Sequence, residues 1–68
     1  MNCFAENLIL LMKENAISQS MLAKALDVKQ QTISRYINGD REPSLDVIIK
    51  IANFFEVTVG QLLGTEEY

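Results

Sequence analysis

The chain has no histidine and only one cysteine, Cys3. That leaves no His/Cys set with the spacing of a zinc site and no internal disulfide. Cys3 is expected to behave as free cysteine usually does, as a half-buried apolar residue near the N-terminus. No carboxylate pair, nucleophile–base pair or glycine-rich phosphate loop stands out, so catalysis is not expected, and neither is a cofactor or a small-molecule ligand. Long apolar runs are missing too. The longest, Leu8 to Met12, falls well short of the ~20 residues that span a bilayer. No basic segment and small-residue cleavage site bracket an apolar stretch as in a signal peptide. A soluble cytoplasmic protein is the expectation. Basic residues are scarce: six against nine acids, for a net charge of -3 and a pI near 4.6. That speaks against general electrostatic adhesion to nucleic acid, but leaves specific binding open, because the placement of the six cations decides it.

At 68 residues the chain suits one small domain, residues 1–68, with a modest core and a small stability margin. Its 49% hydrophobic and 22% charged content supports a packed fold. Strand-like alternation, internal repeats and low-complexity linkers are absent, and the periodicity predicts an all-α, five-helix bundle.

The first helix is expected over about Phe4–Glu14, with Phe4, Leu8, Leu11 and Met12 on one face and Asn15-Ala16 ending it. Ser18 can cap a second helix, Gln19–Leu26, that faces Leu22, Ala23 and Leu26 inward. Asp27 suits a left-handed turn and Val28 a core plug. A third helix, about Gln30–Ile37, turns Ile33, Tyr36 and Ile37 inward and stops at Asn38-Gly39. After a polar loop, Ser44 caps a fourth, Leu45–Phe55, with an expected buried stripe of Leu45, Ile48, Ile49, Ala52 and Phe55. Thr58 and Gln61 have capping-box spacing and open a short fifth helix, Val59–Leu63. Leu62 and Leu63 can close the base of the core, and Tyr68, after Glu66 and Glu67, belongs to a frayed tail.

Two short helices joined this tightly, within about residues 18–38, form a helix-turn-helix arrangement, whose second helix enters the DNA major groove. From about Leu8 to Leu63 the sequence resembles the Cro and phage-repressor (XRE) family. The match rests on Ser18-Gln19, Leu22-Ala23, Val28, Thr32-Ile33-Ser34, Asn38-Gly39, Pro43-Ser44-Leu45, Ile51-Ala52, Val57-Thr58 and Leu62-Leu63. The resemblance implies a lambda-repressor-like fold. It also implies a homodimer on an approximately palindromic double-stranded operator, regulating transcription, with repression the expected effect. Departures are present. Asp27 stands where many members have glycine, Lys29 where Ser or Thr caps the recognition helix, Met12 where many carry a phosphate-binding arginine, and Asp40 where a basic residue is common.

With Ile33, Tyr36 and Ile37 inward, the outward set of the third helix is Gln30, Gln31, Ser34 and Arg35. A glutamine amide can pair with adenine N6/N7, and the arginine fork with guanine O6/N7. By themselves Gln30 and Gln31 read first as ordinary solvated first-turn residues; the resemblance to lambdoid repressors, where such a pair reads bases, turns the reading toward base contacts. Gln19 resembles a family glutamine that bonds phosphate. Lys29, Asn38 and Arg41 flank the third helix as phosphate clamps, with a surface pair to Asp40 or Glu42 the alternative for Arg41. Six of the nine acids (Glu6, Glu14, Asp46, Glu56, Glu66 and Glu67) lie outside residues 18–42.

A protein-binding role, as in helix-turn-helix antitoxins, is the main rival. Ile9 and Leu10 stand where relatives often have polar residues, and Leu10, with Val47 and Phe54 on the fourth helix, is read as pointing away from the core. They are either scattered surface residues or a homodimer or partner surface, expected at Leu10, Val47, Phe54 and Leu62.

Overall fold

A computed structural model of the protein describes residues 3–65. The expected fraying around Tyr68, and the acids Glu66 and Glu67, lie outside the described residues. Five helices follow in order: α1 Phe4–Glu14, α2 Gln19–Leu26, α3 Gln30–Asn38, α4 Leu45–Phe55 and α5 Val59–Leu63. α3 runs one residue further than its pattern predicts.

The starts are decided locally. Ser18 Oγ accepts the Met21 N–H at 3.1 Å and Ser44 Oγ the Val47 N–H at 3.4 Å. Thr58 and Gln61 form the reciprocal capping box, both bonds at 3.0 Å. The ends share one device. Each helix is followed by a left-handed residue (Ala16, Asp27, Gly39, Glu56 or Gly64), and the next N–H reaches back five residues to a helical carbonyl. Ile17, Val28 and Val57 make that bond to Met12, Ala23 and Ala52 at 2.8–2.9 Å, and all three side chains pack against the core. The hydrophobic residue after each turn therefore seats the turn on the protein.

Three of these left-handed positions are not glycine, at φ 54–57°. The conformation crowds a Cβ and costs about 1 kcal/mol or more. Ala16→Gly and Glu56→Gly should each raise stability by about 0.5–1 kcal/mol, and thermal melting should show a rise of a few degrees. A fall in Tm for both would show that the turns are unstrained.

Each helix contributes one wholly enclosed side chain to the core: Leu8, Leu22, Ile33, Ile51 and Leu62. Phe4, Leu11, Met12, Ala23, Leu26, Tyr36 and Ala52 surround them, and Phe4 meets Tyr36 edge-to-face with ring centroids 6.1 Å apart. No buried polar or charged residue interrupts this cluster among the described residues. α5 has only one turn of its own, and α1 holds it in place. The Cys3 N–H donates to the Leu63 carbonyl at 3.0 Å, and Asn7 Nδ2 to the Leu62 carbonyl at 2.9 Å, satisfying acceptors that a helix end leaves open.

Several expectations are corrected here. Leu62 is fully buried, as expected of a residue closing the base of the core, and so cannot belong to a partner surface. Val47 is half-buried against the core rather than pointing away from it. In α4 the buried residues are Ile51 and Ala52, while Leu45 and Ile49 are exposed. The reason is that apolar residues cover almost every side of α4 except that of Asp46, Lys50 and Asn53. Such a wide arc does not say which part meets the neighbours, and packing against α2 and α5 rotates it toward Ile51. Ile37 and Val28 are only half-buried, and Cys3 is exposed at the N-cap of α1.

Candidate nucleic-acid interface

α2 and α3 pack more extensively on each other than any other pair of helices, with only Asp27, Val28 and Lys29 between them. The left-handed Asp27, at φ 57° and ψ 47°, reverses the chain within this short span. Val28 anchors the turn against the core, and Lys29 is the extended residue that starts α3. The sharp contrast between the two sides of α3 then orients it. Ile33 and Tyr36 are buried, at 0% and 4% exposure, and Ile37 is half-buried. The opposite side must face solvent.

That side carries Gln30, Gln31 and Arg35, all exposed, with Ser34 half-buried among them. Gln31 and Arg35, and Gln30 and Ser34, are one turn apart, so the four form a continuous polar face. Gln30 and Gln31 occupy the first turn and are exposed. The N-terminus of α3 differs from that of α2. Lys29 makes no side-chain capping bond, whereas Ser18 does. In the first turn of α3 the Thr32 N–H donates to the Lys29 carbonyl at 2.9 Å, with no side chain capping the turn.

The flanking residues fall on both sides of this face. Lys29 is exposed at the start of α3, Asn38 is exposed in its last turn, and Arg41 is exposed in the following loop. Among the described residues no ion pair joins Arg41 to Asp40 or Glu42. Gln19 is half-buried on the first turn of α2. The left-handed Gly39 ends α3, and the Asp40 N–H closes the end on the Arg35 carbonyl at 3.0 Å. Met12, at the position of a family arginine, is 7% exposed and belongs to the core.

The expected partner surface is exposed only in part. Leu10 and Phe54 are exposed as expected, but Val47 is half-buried and Leu62 enclosed. Leu45, Ile49 and Met21, which sequence reasoning did not place outside, are exposed at 65%, 41% and 51%. For Leu45 one signal was available: it is the first residue of α4, where a side chain often lies beyond the packed layer.

The Helix-turn-helix family model (HTH_3) matches residues 8–62, which include the whole of this arrangement. The chain belongs to that helix-turn-helix family. Within this family of transcriptional regulators, the helix-turn-helix chain is 39% identical over 51 residues to an uncharacterized HTH-type transcriptional regulator of Methanocaldococcus jannaschii, covering 75% of this chain and 77% of the other. It is 34% identical over 64 residues to the HTH-type transcriptional activator BcrR of Enterococcus faecalis. That match covers 94% of this chain but spans 31% of BcrR's length. A crystal structure of a transcriptional regulator from Listeria innocua superimposes with a TM-score of 0.91 at 29% identity, over 100% of this helix-turn-helix chain and 64% of that one. No described helix of the protein is long and apolar enough to cross a membrane.

Proposed function

We propose that the protein binds double-stranded DNA sequence-specifically, as a homodimer on an approximately palindromic operator, and thereby regulates transcription in the cytoplasm. α3 enters the major groove. Gln30, Gln31, Ser34 and Arg35 read base edges, while Gln19, Lys29, Asn38 and Arg41 hold phosphates. The observation that carries this reading is the exposed polar face of α3 on a helix-turn-helix of the matched family. The fold uses the other side of α3 and leaves this one free.

The electrostatics support a division of labour. Four of the six cations, Lys24, Lys29, Arg35 and Arg41, lie between residues 18 and 41. Each phosphate contact releases counterions and adds affinity that is indifferent to sequence. With so few cations one protomer gains little, and two related by a two-fold axis use the same face twice. Repression follows where the operator overlaps a promoter, because bound protein then excludes polymerase sterically. The Enterococcus relative is named an activator, and this chain spans 31% of its length.

The test is selection of bound duplexes from a random pool, followed by two substitutions. Arg35→Ala should relax preference at one position of each half-site, at about 1–3 kcal/mol. Lys29→Ala should weaken binding to all sequences alike and flatten the salt dependence by about one unit per protomer. Selection that returns no consensus would defeat the reading. If the salt slope instead follows Arg35 and the base preference Lys29, the two roles are misassigned.

A further inference from the structure

We propose that a cavity beside the end of α3 takes a small zwitterion with an apolar body, the chemistry of a free aromatic or branched-chain amino acid. The cavity is about 330 Å³ and lies where α1, the end of α3, the loop after it, α4 and α5 converge. That volume is near the lower end of the ~300–1,000 Å³ usual for small-molecule sites, so the occupant is small. No single stretch of sequence announces the site, because its wall is assembled from separate segments between Phe4 and Leu63. It replaces the expectation that the protein has no small-molecule ligand.

Most of the wall is apolar. Phe4 and Tyr36 are buried and meet edge-to-face, and Ile48 and Leu63 are half-buried beside them. A hydrocarbon or aromatic side chain packs well on such surfaces. Tyr36 adds a hydrogen-bonding group. The residue is 4% exposed, yet its hydroxyl makes no hydrogen bond among the described residues. No described side-chain polar atom that is sealed from water lacks a partner, so this hydroxyl sits where the ring opens, on the cavity that Tyr36 lines. A buried ring that brings an unpaired hydroxyl to a cavity calls for a polar atom on the occupant.

The charges select the ligand. Arg41 and Glu42 line the same cavity, both are exposed, and no ion pair joins them among the described residues. A simple carboxylate would meet the like charge of Glu42, and a simple amine that of Arg41. A molecule carrying both signs satisfies both, its carboxylate accepting from the guanidinium and its ammonium donating to the Glu42 carboxylate. The groove between α2 and α4, at Ala25, Leu26, Lys50 and Phe54, has no buried polar side chain and lacks this combination.

The position gives the ligand a consequence. Arg41 is also the phosphate contact assigned above, and this half of the inference rests on that reading. A guanidinium drawn to a carboxylate over the cavity is drawn from the phosphate. Bound ligand therefore weakens DNA binding, and DNA weakens ligand binding by the same factor.

The experiment is calorimetric titration of the full chain with L-phenylalanine and L-leucine, and with phenylacetate and phenethylamine, which each lack one of the two charges. The amino acids should bind roughly tenfold or more tightly than either singly charged compound. Arg41→Ala and Glu42→Gln should each weaken them by about tenfold, and Tyr36→Phe severalfold, with the melting temperature retained. Saturating amino acid should lower operator affinity in the wild type and leave it unchanged in Arg41→Ala. No binding at millimolar amino acid overturns the site and leaves the DNA reading standing. Binding that ignores all three substitutions, or equal binding of a singly charged compound, overturns it as well. Binding that follows the substitutions but leaves operator affinity unchanged overturns the coupling and the phosphate role of Arg41, and supports the site.

Discussion

Leu62→Ala should destabilise the protein by about 2–5 kcal/mol, the range for truncating an enclosed leucine. Leu62 is 0% exposed and lies with Leu8, Leu22, Ile33 and Ile51 among the largest fully buried side chains. It is also the only buried residue of the one-turn helix α5, so its loss removes most of what ties α5 to the core. A domain of this length has a total stability of roughly 3–10 kcal/mol, at ~0.05–0.15 kcal/mol per residue. The variant should therefore be largely unfolded well below the wild-type melting temperature. Urea denaturation followed by circular dichroism measures it. A variant that keeps its melting temperature but loses self-association would put Leu62 on an interface instead, as its sequence position had suggested.

Gln30→Ala and Gln31→Ala should have the opposite profile. Both residues are exposed on the first turn of α3. Their removal should change stability by no more than about ±0.5 kcal/mol, as exposed substitutions usually do. Alanine is a strong helix former, so a slight gain is compatible with the reading. Operator affinity should fall by ~1–3 kcal/mol per half-site, because a base-edge donor and acceptor lose their partner. A two-fold dimer uses each glutamine twice, and the total approaches double that. Weak binding to random duplex should persist, since it depends on phosphate contacts. Melting curves together with titrations against a selected operator and random DNA separate the two effects. Retention of operator specificity by both variants would reduce the pair to a solvated helix start.

These two residue classes mark how far the sequence could be read. Helix positions depended on short-range signals that a sequence carries in full. Ser18, Ser44 and the Thr58–Gln61 pair announce starts because capping is a bond to a residue three places on. Asp27 and Gly39 announce stops because the left-handed conformation depends on the residue's own side chain. Ala16 and Glu56 adopt the same conformation with less local preference for it, and packing of Ile17 and Val57 compensates. The outward face of α3 was equally legible, since its apolar residues fall in one narrow stripe and the polar ones have only one place to go.

By itself, then, the sequence determined the five helices, the tight α2–α3 turn and the exposure of Gln30, Gln31 and Arg35, all consequences of interactions within a few residues. Only the tertiary structure decided which of the surplus apolar side chains are enclosed. Of the two places read for Leu62 the core took it, Val47 went half inside, and Ile51 displaced Leu45 and Ile49 from the expected stripe. Asn7, unremarked in the sequence, became a tie to α5 through the Leu62 carbonyl. The hydrophobic effect is non-directional. It rewards burial of any of these side chains alike, and only the docking of five helices on one another selects which ones water can still reach.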